Sequence, residues 1–519
     1  MKSKVHEFIN LKSEAMSKNI IFNKTLVYAV VVLAVLQFSS CKKGFDEIND
    51  DPNNPKEVPT SFLLTGAQKG LMDNNWDHWW NGQVGNQLAQ FWASNQYTSE
   101  SRYLYRTGVT NNYWTYAYAG GQNDALAVVG GMEELQTIID LCTANPDKYS
   151  PYGFPDNQIA VATILKVWQF QMLTDAFGPV PYTQAFKGIA NTQPVFDSQE
   201  DIYTGLLADL DHARALINSG EPGPGGDIIY GGDMDLWRKF CNSLQLRVAM
   251  RMADRNASVA SAAVQEAVAD GVFTSNADNA LFRYMNGTPN TNLHNFDFDN
   301  TGRNDFCGSS TMIDFMTGLS DPRMSIYFEP AANSGNFVGE QYGLSEANGA
   351  NTDDGDVSQR GAAVLAADAP GIYMQYSEVA FLLAEAAERG FGVGNAATDY
   401  AAGITASMEF WGVAGGDITT YLAQSTVDYA SASGTYKEKI GRQKWLALYM
   451  QGIDAWSEWR RLDFGVLQLP VDGPLEGTGI PLRMKYPTEE QTLNTNNYNA
   501  AVSSVGGDDQ EHRVWWDMN

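Results

Sequence analysis

Two consecutive segments set the fold class of this chain. Tyr376 to Arg389 carries Val379, Leu382, Leu383, Ala386 and Ala387 near a helical period, and Ala396 to Trp411 carries Tyr400, Ala401, Ile404, Met408 and Trp411. Between them stands Gly390-Phe391-Gly392-Val393-Gly394. A dinucleotide-binding loop with similar glycines would follow a strand and open a helix, whereas this stretch follows a helix and reads as an inter-helix turn. A bulky helix, a short glycine turn and an alanine-rich helix pack closely, because small side chains let the backbones approach. That is the logic of a tetratricopeptide unit.

The same pattern recurs. Gln158 to Ala176 repeats Ile159, Ala162, Leu165, Trp168, Phe170 and Leu173 and stops at Gly178-Pro179. Ser198-x-x-Asp201 resembles a capping box and opens a helix through Leu207, Leu210, Ala213 and Ile217. Asp235 to Met252 pairs with the alanine-rich Ala257 to Ala269, and Lys437 to Arg461 continues the pattern with Ile440, Trp445, Leu448, Tyr449, Ile453, Trp456 and Trp459. The expected fold is mainly α, with about four such helix pairs as a scaffold. Long irregular stretches, chiefly Phe282 to Ser309 and Phe328 to Pro370, interrupt the pairs. Loops of that length in a compact domain are functional or mobile. No clean linker is visible, so residues 61–519 are expected to form a single domain with a loop-rich, ligand-binding half.

The first forty residues stand outside this scheme. Leu26 to Leu36 is an apolar run of 11 residues, and a spanning helix needs about 20. The length suits the h-region of a signal peptide. Gln37-Phe38-Ser39-Ser40-Cys41 follows, with small residues placed for a lipoprotein signal peptidase that leaves Cys41 as the lipidated N-terminus. Acyl chains at about 0.8 kcal/mol per CH₂ then hold the protein on a membrane. The alternative is an uncleaved N-terminal anchor. A start at Met16 gives a signal of ordinary length. Residues 1–40 are thus read as a cleaved signal and 41–60 as a lipidated tether and arm. The acidic cluster of that arm lacks calcium-loop spacing, so turn and capping chemistry is expected there and no cofactor or metal.

Formal charge is −27; residues 1–40 hold five lysines and two glutamates, a balance of +3, which leaves −30 for the rest. That argues against a nucleic-acid surface and favours neutral ligands. Cys142, Cys241 and Cys307 are an odd set at wide spacing with no C-x-x-C, so neither a zinc site nor a disulfide framework is expected, and Cys241 reads as a buried thiol.

Several stretches, in order, resemble the SusD/RagB family of nutrient-binding outer-membrane lipoproteins. They are Cys41 with Phe45-Asp46-Glu47-Ile48-Asn49 and Asp51-Pro52-Asn53-Asn54-Pro55, then Asp175-Ala176-Phe177-Gly178-Pro179-Val180-Pro181-Tyr182, Asp321-Pro322-Arg323, and the helix from Tyr376-Ser377-Glu378-Val379 to Glu385-Ala386. Tyr486-Pro487-Thr488-Glu489-Glu490-Gln491, Asn497-Tyr498-Asn499 and Trp515-Trp516-Asp517 complete the series. The resemblance implies a SusD-like fold, tetratricopeptide-type pairs packed against an irregular half, and a non-catalytic role. It implies capture of oligosaccharides or peptides on the outer face of the outer membrane and delivery to a SusC-like TonB-dependent transporter.

Catalytic constellations are scarce. His78, His212, His294 and His512 are scattered, and neither H-E-x-x-H nor G-x-S-x-G occurs. The acidic residues read as solvated faces and caps. Ligand capture has better candidates. Trp76-Asp77-His78-Trp79-Trp80-Asn81 places Trp76, Trp79 and Trp80 on one face of a helix, which either enters the core or forms an open platform bordered by Asn74, Asn75, Asp77 and Asn81. Sugars stack their C–H faces on such rings and bond amides and carboxylates with their hydroxyls. Gln96-Tyr97 and Tyr103-Leu104-Tyr105-Arg106 are expected to line the same cleft. The second candidate is the loop Asn286 to Asp305, where His294, Phe296, Arg303, Asn304 and Asp305 are the expected ligand contacts; Arg303 pairing with Asp305, or a loop packed by its own aromatics, is the alternative. A surface glycan hydrolase and a protein-binding scaffold or adhesin are the competing functions.

Overall fold

A computed structural model describes residues 58–519, apart from 124–126, 303, 350 and 351. The chain divides into Met1–Val58 and Pro59–Asn519, and all described residues except Val58 belong to the second unit. The signal segment, Cys41, the Phe45–Pro55 arm and Arg303 lie outside the described residues.

The unit is mainly helical. Its principal helices are α1 (Thr60–Trp76), α2 (Thr107–Ala119), α3 (Met132–Ala144), α4 (Pro155–Phe177), α5 (Gln199–Leu216), α6 (Met234–Arg251), α7 (Ala257–Asp270), α8 (Leu293–Thr301), α9 (Ser310–Leu319), α10 (Tyr376–Glu388), α11 (Ala396–Phe410), α12 (Gly415–Leu422), α13 (Tyr436–Ala447), α14 (Gly452–Leu462), α15 (Thr488–Leu493) and α16 (Thr495–Val505). Six short strands, β1 (Trp92–Ser94), β2 (Gly121–Asn123), β3 (Ala127–Val129), β4 (Ala280–Phe282), β5 (Phe306–Gly308) and β6 (Gly371–Met374), pair antiparallel as β1–β5, β2–β3 and β4–β6. Among the described residues, no helix is long and apolar enough to cross a membrane.

The four helix pairs are α4–α5, α6–α7, α10–α11 and α13–α14. Their ends carry side-chain caps: the Ser198 hydroxyl accepts the Asp201 N–H at 3.1 Å, and Asn395 accepts that of Thr398 at 3.0 Å. Gly403 explains the close approach of α11 to α10, since a Cβ there would lie 2.8 Å from the Phe381 ring.

Lys437–Arg461 supplies the fourth pair, and two expectations change. The stretch parts into two helices where Met450 takes the left-handed φ of 73°, and a Cβ on Gly452 would sit 2.0 Å from the Gly85 carbonyl carbon. The helical period survives the break because both helices turn apolar faces inward, so periodicity alone hides it. Phe282–Ser309 is not irregular throughout; it contains α8, capped by Asn292, and β5, which pairs with β1. The polar sequence of α8 has no apolar stripe to announce it.

The second change concerns the acids. Many are not solvated but form a buried ionic spine across the helix pairs. Arg247 of α6 bonds Glu378 of α10 through Nε (2.9 Å) and Nη2 (2.5 Å). Arg251 meets Asp175 of α4 at 3.0 Å and also Glu458 of α14. Arg461 binds Glu385 at 2.5 Å and Glu458 at 2.6 Å, and Lys444 of α13 lies 3.1 Å from Glu458. Burial pushes the Lys444 ammonium down to about 7, against the pull of Glu378. An unfolded lysine titrates near 10.4, so between these values the unfolded chain holds a proton that the folded chain lacks. This group's contribution to stability therefore rises with pH from about 7 to about 10. Urea-unfolding stability of the wild type relative to Lys444→Met is expected to climb over that window; a flat difference would show that Lys444 stays charged in the fold.

Candidate functional site

The site starts at the end of α1. Asp77 caps a π-helical segment, His78–Gly85, by accepting the Trp80 N–H at 2.6 Å. The Gly82 N–H reaches back five residues to the Asp77 carbonyl at 3.1 Å, and a Cβ at Gly82 would press on the Phe306 ring at 3.0 Å. π-Helical turns of this kind recur at functional sites.

The segment separates its tryptophans, so the expected single face is not formed. Trp76 and Trp80 are buried, and Trp80 stacks on Tyr113 of α2 with ring centroids 3.7 Å apart. Trp79 is half-buried and lines an open cleft of about 310 Å³. The facing wall is α2, whose Gly108, Asn112 and Tyr116 recur every four residues with Val109 and Tyr113 beside them. Arg106 lies 4.8 Å from the Trp79 ring centroid. Its Nε donates to Glu100 at 2.6 Å, and its Nη2 donates to Gln83. The guanidinium is thereby fixed before any ligand arrives. Asn74 donates to the Tyr113 carbonyl at 3.0 Å, while the exposed Asn112 amide makes no hydrogen bond among the described residues. Asp77 is the single carboxylate among the lining residues. The result is an aromatic wall with a fixed cation and amides at its edge.

The Asn286–Asp305 segment comes to the same place. His78 Nδ1 is 3.0 Å from Asp297 and its Nε2 is 3.7 Å from Asp305, while Asn81 lies 3.5 Å from His294 Nε2 and donates to the Met450 carbonyl at 3.0 Å. Most of these groups are supports: His294 is fully buried, edge-on to Trp92 at 5.3 Å, and burial beside Arg360 and His78 holds its imidazole well below the usual titration range. Asp305 is buried, Asn304 donates to Gln359 at 2.8 Å, and Phe296 is half-buried. Arg360 was not singled out by any sequence motif. It is buried, near the Trp92, Phe298 and Phe306 rings, and its Nε and Nη1 make no hydrogen bond among the described residues.

Tyr97 stands apart. It is 53% exposed at a left-handed φ of 54°, with the Thr98 N–H held by Glu346 at 3.0 Å. Residues held in such a conformation cluster at active sites and ligand clamps. Tyr103 is fully buried, and Tyr105 is half-buried. Asn112 and Tyr116 were missed by the sequence reading; their signal is the four-residue spacing from Gly108.

The family model described as "Starch-binding associating with outer membrane" matches residues 52–487. The chain belongs to the SusD-like family. No match emerges among curated protein sequences. Among solved structures, this SusD-like chain is similar to a protein described as chitin-binding (28% identity, TM-score 0.75, covering 89% of this chain and 100% of that one). It is also similar to a chitin-binding SusD homologue from Flavobacterium johnsoniae (26% identity, TM-score 0.74, 88% and 99% covered) and to a SusD homologue from Bacteroides uniformis (26% identity, TM-score 0.74, 88% and 100% covered). The SusD-like fold, with tetratricopeptide-type pairs beside a loop-rich half, accounts for the architecture above.

Proposed function

We propose that this chain is a cell-surface lipoprotein that captures neutral oligosaccharides at the Trp79 cleft and hands them, unaltered, to a SusC-like TonB-dependent transporter. The observation that carries this reading is the pairing of Trp79 with a pre-fixed Arg106 and the amide of Asn112 in one open cleft. Such a wall offers a ring face for sugar C–H groups and donors for hydroxyls. The chitin-binding relatives support β-linked amino-sugar oligomers as the first ligands to test. Glycoside hydrolysis uses a pair of carboxylates, and the cleft presents Asp77 alone, already engaged as a cap. Capture without bond breaking is the chemistry this favours; chitin oligomers incubated with the protein for hours should be recovered intact, and released product would overturn the non-catalytic reading.

The lipid on Cys41 would keep the body beside its transporter. Cys41→Ala should leave the body folded but move it to the soluble fraction after cell disruption. Persistence with membranes in cells lacking the transporter would contradict the anchor.

A further inference from the structure

A second cavity, of about 320 Å³, is built from different residues. Trp76 and Trp411 line it, with Phe410 beside them. Its floor includes Leu281 and Ile372, register partners on the β4–β6 ribbon, which therefore present neighbouring apolar side chains. The walls are held firmly: Trp411 packs edge-on against Tyr327 at 5.0 Å and Phe410 at 5.4 Å. Met450, with its left-handed φ of 73°, completes the lining. A bulky side chain in that conformation costs about 1–3 kcal/mol, and such strain concentrates at binding sites.

Among the described residues, just two charged or amide side chains line this cavity, Arg283 and Asn292. Asn292 is spent: its amide donates to the Ala369 carbonyl and its oxygen accepts the His294 N–H, each at 2.9 Å. Arg283 follows β4 directly, is exposed, and makes no hydrogen bond or ion pair among the described residues. Its guanidinium is therefore open to an anion at the rim of the cavity. The buried Trp76 indole N–H likewise lacks an acceptor among the described residues. A sugar ring would bring a hydroxyl on nearly every carbon to walls that could bond few of them, at a cost of about 1–3 kcal/mol for each group left unpaired. An apolar body with one anionic end fits instead.

We propose that this cavity is a second binding site, for a small aromatic carboxylate, with its ring against Trp76 and Trp411 and its carboxylate on the Arg283 guanidinium. The planar fork of arginine matches a carboxylate in two parallel hydrogen bonds. A free aryl acid and the C-terminal aromatic residue of a short peptide present the same chemistry.

The test uses the full chain carrying Cys41→Ala. 3-Phenylpropionate, its neutral amide and N-acetyl-L-phenylalanine are titrated in, and binding is read by tryptophan fluorescence and calorimetry. At least one of the two carboxylates should bind saturably. The amide should bind about tenfold more weakly than 3-phenylpropionate, and Arg283→Ala should remove that preference, as expected for loss of a charge-assisted pair. Tighter binding of N-acetyl-L-phenylalanine assigns the peptide terminus as the source, and the reverse order assigns the free acid. Trp79→Ala should leave these affinities unchanged, which separates this site from the glycan cleft. Absence of saturable binding by either carboxylate, indifference to Arg283→Ala, or loss in Trp79→Ala would overturn the proposal.

Discussion

Glu378→Gln is expected to lower the free energy of unfolding by about 3–5 kcal/mol, the usual cost of breaking a buried ion pair from one side. Glu378 and Arg247 are both fully buried and share two hydrogen bonds, and Lys444 sits 3.6 Å away. Removing the negative charge leaves Arg247 with Asp454 at 3.8 Å and strands part of its charge in the interior. The attraction lost is strong because little water screens it. Urea unfolding should show a lower midpoint at unchanged slope. Lys485→Ala serves as the control: its pair with Glu476, at 2.6 Å, is partly solvent-exposed, and pairs at the surface are worth about 0–1 kcal/mol. A Glu378 effect no larger than that of Lys485 would mean the spine contributes little to the scaffold.

The second large effect concerns binding. Trp79→Ala is expected to weaken oligosaccharide affinity about 30-fold, or about 2 kcal/mol, as for an aromatic anchor in a cleft. The fold should persist, because Trp79 is half-exposed and lies against the Arg106 guanidinium, itself held by Glu100 and Gln83. Near-UV circular dichroism checks this. Trp80→Ala makes the contrast: Trp80 is 1% exposed and stacked on Tyr113, so its loss should cost about 3–5 kcal/mol of stability. Equal effects of the two substitutions on binding, after correction for unfolded protein, would remove Trp79 from its assigned role.

These two predictions also mark what the sequence discloses. The helix pairs were legible because a 3.6-residue period is local, and Val379, Leu382 and Ala386 display it within one helix. The ionic spine was not, since Glu378 or Glu458 looks the same in sequence whether it faces water or an arginine brought from another helix. Trp79 and Trp80 differ for a related reason. Neighbouring residues in a helical turn point in different directions, so Trp80 is buried against Tyr113 while Trp79 stays half-exposed, although both line the cleft, and which is buried depends on where α2 packs. The two segments rich in polar aromatics were visible separately. Their meeting, through Asn81 and His294 at positions 213 residues apart, is a property of tertiary structure alone. The shift of His294 from expected ligand contact to buried support follows from that meeting.

On the function proposed above, the Trp79 cleft captures a neutral oligosaccharide without cleaving it. Calorimetric titration of chitin oligomers into the full chain carrying Cys41→Ala, with and without Trp79→Ala, tests it directly when the recovered sugars are analysed afterwards. Saturable binding that falls about 30-fold on loss of Trp79, with the oligomers intact, is the predicted result. Binding untouched by Trp79→Ala, or shortened oligomers after the titration, would contradict it.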